Sequence, residues 1–222
     1  MTKAEVGYPT AISDQSDEGL RAAIQWCSRH LAHGQQVTVW AKAKRDLTGN
    51  ELVRAYTSRP GVRTAVERGG GLSVANGPVL AMWAHADDLG RIMTGRGITA
   101  LCVVRWGHGL PIWAKETGAE VLHEPDFVPY WTRNSEVTEL GAETVEALGH
   151  LTLVVNHANP VDSGYEKRDV IKALRGLHAA GHELDERAIT EWAAANGWPG
   201  ENSQRLGRLA REVAQGKNHR TW

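Results

Sequence analysis

Residues 79–104, VLAMWAHADDLGRIMTGRGITALCVV, decide the fold. An unbroken apolar run at 79–84 turns a polar corner at His85, Asp87 and Asp88, continues with Leu89, Ile92 and Met93 at helical spacing, and returns to an apolar run at 100–104. A strand that stays apolar without alternation is covered on both faces, the situation of a parallel sheet sandwiched between helices. Parallel neighbours need a crossover, and the helical stretch between the two runs supplies it.

The same alternation continues outward. Downstream, Arg105, Gly107, His108 and Gly109 lead to Pro111, well placed for the first turn of a helix, and residues 119–122 predict another strand, ended by His123, Glu124, Pro125 and Asp126. Upstream, Leu20, Ile24, Cys27 and Leu31 predict a helix closing at Gly34, and residues 37–41 predict a strand. Asn50 predicts the cap of a helix through Tyr56, while residues 62–67 read as a short helical or irregular piece before the glycine tract 69–71. The expected fold is α/β: a Rossmann-like, mostly parallel sheet of about four strands over residues 1–130, with a helical C-terminal extension over 131–222. That extension reads as one helix over 137–155, a break at 156–160, a helix through Val170, Leu174 and Leu177 closing at Gly181, and two more, the first over about 185–196 and the second through Leu206, Leu209 and Val213.

Composition excludes several classes. The 222 residues are 41% hydrophobic and 23% charged, with Lys+Arg 25 against Asp+Glu 26, so neither disorder nor a whole-surface polyanion binder is expected. The apolar runs are too short to span a bilayer, and residues 1–14 lack an apolar signal core; a cytoplasmic location without membrane contact is expected. Cys27 and Cys102 lie in apolar periodic segments and read as core thiols. Of the nine tryptophans, Trp106, Trp113 and Trp131 fall near loops where an indole can line a pocket.

No G-x-x-x-x-G-K-[ST] stretch is present, which excludes a P-loop nucleotide site, and no G-x-S-x-G elbow is present either. Residues 95–100 match the dinucleotide fingerprint by letter, but they lead into a strand instead of leaving one. Site candidates therefore come from topology: in a parallel sheet all carboxyl ends share one edge, where open α/β folds build their crevices. That edge collects Lys42, Lys44, Arg45 and Asp46 from one strand end, His85, Asp87 and Asp88 from the next, then Arg105 and His108, then His123, Glu124 and Asp126. Imidazoles and carboxylates move protons, and cations neutralise an anion. The expected roles are His85, Asp87 and His123 in catalysis, Lys44, Arg105 and His108 in substrate binding, and Asp87, His123 and Asp126 around a divalent metal. The function expected is an intracellular ligand-binding protein or hydrolase acting on an anionic or phosphorylated small molecule or nucleotide.

The alternative is a module that binds DNA or another protein. The last two predicted helices have a spacing like that of a helix-turn-helix, and residues 204–222 carry five basic residues against Glu212. Arg208 and Arg211 are the phosphate-contacting candidates there. A plain helical hairpin explains the same apolar spacing and is the preferred reading.

Overall fold

The computed structural model describes residues 6–67, 72–107, 109–124 and 138–218. Among the described residues six strands form one sheet: β1 (Thr10–Ser13), β2 (Val37–Ala41), β3 (Val62–Val66), β4 (Val74–Ala84), β5 (Arg96–Arg105) and β6 (Glu120–Val121). Their order is β3-β2-β4-β5-β1-β6, and every pairing is parallel. The α/β class and parallel sheet are as expected, but six strands replace the expected four. β3 falls where a helical or irregular piece was expected. It is an edge strand with Arg63 and Thr64 exposed, so it lacks the apolar run of a covered strand. β1 escapes notice because its four residues begin and end on polar side chains, both buried: Thr10 Oγ1 donates to the carbonyl of Thr117 and Ser13 Oγ to that of Gly19.

Helices α1 (Asp17–Arg29), α2 (Lys44–Thr48) and α3 (Glu51–Thr57) follow β1 and β2, and their apolar residues, including Trp26, Leu47 and Tyr56, share one core cluster with Leu80 and Cys102 of the sheet. Helices α4 (Ala86–Met93) and α5 (Pro111–Thr117) follow β4 and β5 and cover the opposite face, where Leu89, Ile92 and Trp113 meet Val79, Leu101 and Val103. Local signals agree with these starts. Ser16 Oγ caps α1 by accepting from the Gly19 amide, Asn50 caps α3 by accepting from the Val53 amide, and Pro111 opens α5. From the carboxyl edge the chain thus turns to one face after β2 and to the other after β4, its neighbour. The gap between diverging connections is where open α/β sheets hold ligands.

The C-terminal helices are α6 (Ala142–Val154), α7 (Gly164–Ala179), α8 (Glu186–Ala195) and α9 (Asn202–Ala214). They bury their own cluster, including Leu148, Leu174, Ile189, Trp198 and Leu206, which reaches the α/β part through Ile112. α8 packs on both α4 and α5. α9 lies against α8 at Gly207, where a Cβ would stand 2.4 Å from the carbonyl oxygen of Glu186, so only glycine permits this approach. Two tethers fix the region. Asn202 Nδ2 donates to the carbonyls of His157 and Asn159, and His157 stacks on buried Trp198. Glu191, fully buried, accepts through Oε2 from the backbone amides of Ile112 and Trp113 at 3.0 and 3.3 Å, satisfying donors of the first turn of α5. Its Oε1 accepts from Arg187 Nε at 3.2 Å, and Arg187 also donates to the Gly109 carbonyl.

Candidate functional site

A cavity of about 560 Å³ opens at the carboxyl edge between β2 and β4. This is within the range of small-molecule pockets, roughly 300–1,000 Å³. One wall comes from the end of β2 and the helices after it, with Lys42, Arg45 and Asn50; the other comes from the ends of β4 and β5, with Trp83, His85 and Trp106, and Gln15 enters from the end of β1. Four adjacent strands therefore contribute to one space.

Lys42 is held from below. Its ammonium donates at 3.1 Å to Oδ1 of Asp88, which is buried, while the lysine side chain itself stays half exposed. Asp88 uses its other oxygen to accept from the His85 amide at 3.0 Å, tying the end of β2 to the first turn of α4. The ammonium keeps two further donors for a ligand. Arg45 stands beside it on α2, largely exposed and 3.7 Å from Asp46 Oδ1; Asp46 Oδ2 accepts from the Ala43 amide.

Trp83 occupies this wall because of a backbone irregularity. The β4–β5 register slips between Met82 and Ala84, and Trp83 has a φ of 52°, a left-handed conformation rare for a bulky residue. In regular alternation Trp83 would share a face with Ala81; instead it packs with Met82 on the α1–α3 face, and Ala84 resumes the other. Its indole meets that of Trp106 edge to face, with centroids 6.4 Å apart and planes at 79°. Trp106 is 51% exposed, a large apolar surface left open at the cavity mouth.

A second cavity of about 570 Å³ lies on the far side of His85 and Trp106, which line both. Asp87 opens into this one, along with Arg187 and Arg211 from the C-terminal helices.

The expected site residues are distributed as follows. His85 lines the crevice, and Asp87 lies just across the partition. Lys44 opens α2 and is exposed, and the crevice is lined by its neighbours Lys42 and Arg45. Arg105 ends β5, with its guanidinium Nη1 3.1 Å from where a Cβ on Gly109 would stand. His108 and Asp126 lie outside the described residues, as does Trp131. His123 follows β6 and is separated from the end of β4 by β5 and β1, roughly 14 Å at about 4.8 Å per strand. Among the described residues, no three His, Cys, Asp or Glu side chains are grouped as a metal ion requires. Trp113 is fully buried in the core instead of lining a pocket, and both cysteines are buried; burial and the neighbouring Cys27 raise the Cys102 thiol above its ordinary range.

His123 has a partner that the sequence did not reveal. Its Nδ1 lies 3.1 Å from Oδ2 of Asp14, at the end of the unrecognised strand β1, and Asp14 Oδ1 accepts from Ser16 Oγ at 2.5 Å. Burial alone raises the Asp14 carboxyl, but hydrogen bonds from Ser16 and His123 outweigh it and hold the group below its usual value. An ionised Asp14 is an acceptor for a proton on His123 Nδ1. Ser16 approaches the same nitrogen, at 3.4 Å, so serine, histidine and aspartate do not form a nucleophilic relay.

On α9, Arg208 is paired with Asp162 at 3.0 Å and Arg211 with Glu186 at 2.7 Å. Arg205 shares Asp162 and also pairs with Glu201.

Residues 143–221 match a family described as a domain of unknown function (DUF1889), a stretch that takes in nearly all of α6 and the three helices after it and none of the sheet. No curated protein and no solved structure matches the chain. No helix among the described residues is long and apolar enough to cross a membrane.

Proposed function

We propose that this protein binds a small phosphorylated molecule in the crevice between β2 and β4. The observation that carries the reading is the setting of Lys42: an ammonium fixed by a buried carboxylate, opening into a cavity that also holds Arg45 and His85. A positioned cation with free donors is suited to phosphate oxygens, and the polar groups of Gln15 and Asn50 can orient the remainder. If the protein is a hydrolase, His85 is the acid/base within reach of the cavity, and a divalent metal would be recruited together with the phosphate.

Thermal unfolding with ribose 5-phosphate, inorganic phosphate and ribose tests this. Ribose 5-phosphate is expected to raise apparent stability by about 2.7 kcal/mol at a hundredfold excess over its Kd, and ribose to leave it unchanged. No stabilisation by either phosphate, with and without magnesium, would sink the proposal. Release of phosphate that disappears in His85→Ala would make it a hydrolase; binding without release would make it a ligand-binding protein.

The ion pairs on α9 favour this reading over duplex binding, because a phosphate contact would first have to separate Arg208 and Arg211 from their carboxylates. Duplex DNA titrated at low salt is expected not to saturate. Salt-sensitive binding removed by alanine at both arginines would restore the alternative.

A further inference from the structure

We propose that Trp83 and Trp106 form the platform for a planar heteroaromatic ring, so that the ligand of the crevice is a mononucleotide. The inference rests on the phosphate-binding reading above and adds the other end of the ligand. Three observations converge. The two indoles stand nearly perpendicular, which offers a ring one face to stack on and one edge to abut. They line the same cavity as Lys42 and Arg45, the latter 3.7 Å from Asp46, which also lines it, so a molecule with a flat ring at one end and an anion at the other finds a partner for each within one space. Finally, Trp83 is placed there by a left-handed residue and a register slip within the central strand β4, a local strain of the kind that collects at ligand sites. A sheet without that slip would send the side chain at 83 to the opposite face.

Trp106 is the half of the platform that solvent reaches. Base stacking on an aromatic side chain strengthens binding by roughly 5- to 150-fold. A cavity of about 560 Å³ has the size of a small-molecule pocket, whereas a strand is held along an extended basic groove.

The experiment is calorimetric titration of wild type, Trp106→Ala and Trp106→Phe with AMP, UMP, ribose 5-phosphate and an oligonucleotide of adenines. Wild type is expected to bind AMP at least about tenfold more tightly than ribose 5-phosphate. Trp106→Ala should lose that preference while its affinity for ribose 5-phosphate stays unchanged, and Trp106→Phe should keep most of it. Equal affinity of wild type for AMP and ribose 5-phosphate would overturn the inference and leave the phosphate reading standing; no binding of any probe would overturn both. An oligonucleotide bound far more tightly than AMP would replace the mononucleotide with single-stranded nucleic acid. Trp83→Phe, which keeps an aromatic ring at the strained position, is expected to fold and to weaken AMP selectively; equal weakening of ribose 5-phosphate would contradict a ring-binding role.

Discussion

Replacing Glu191 with alanine is expected to lower the unfolding free energy by about 3–5 kcal/mol, because each buried donor left without its acceptor costs roughly 1–3 kcal/mol. The change would strip acceptors from the amides of Ile112 and Trp113 and leave Arg187 without its carboxylate, in the seam where α8 meets α5. Glu201→Ala is the contrasting case: that side chain is half exposed, and losing its pair with Arg205 should cost about 1 kcal/mol or less. Urea unfolding of both variants checks the difference. A pH series separates the charge from the packing. Burial pushes the Glu191 carboxyl up to about 7, against the opposing influence of Arg187 and the two amides. From its ordinary value near 4.5 up to about 7 the unfolded chain is ionised while the folded chain still holds the proton, so this group's contribution to stability is greatest at the acid end and falls as pH rises. Glu191→Gln should flatten that slope, and an identical slope in both proteins would assign it to other groups.

Reversing both cations of the crevice, Lys42→Glu with Arg45→Glu, is expected to weaken phosphate-ligand binding by about a hundredfold or more. Each hydrogen bond to a charged group contributes about 1.5–3 kcal/mol, and the reversal adds repulsion. Reversing Lys42 also sets a carboxylate against buried Asp88, so the single Arg45→Glu variant, whose side chain is exposed and whose weak pair with Asp46 spans 3.7 Å, serves as the control that should fold like wild type. Arg45→Glu alone should lose about tenfold or more in affinity. Unchanged affinity in both variants, with melting temperatures preserved in Arg45→Glu, would remove the anion-binding assignment.

The central part of this architecture is legible in the sequence because β4 and β5 are covered on both faces and therefore spell continuous apolar runs. The edge is not, because β3 is half exposed and reads as irregular, and β1 is four residues long with its hydroxyls satisfied only by tertiary contacts. The same contrast governs the site. Lys42, Arg45 and His85 are strand-end residues and follow from topology alone. Asp14 and Gln15 depend on recognising β1, and the partnership of Asp14 with His123 bridges 109 positions. Trp83 looks like one more core residue in an apolar run; only the register slip and the positive φ turn it toward the crevice.

The most direct measurement is the set of tryptophan indole N–H resonances during titration with AMP, assigned by single replacement of Trp83, Trp106 and Trp113. A ligand in the crevice predicts saturable shifts at Trp83 and Trp106 and no change at Trp113, a residue of α5 buried in the core. Shifts confined to other indoles, or none at concentrations that fully protect the protein against heat, would contradict a ligand site between β2 and β4.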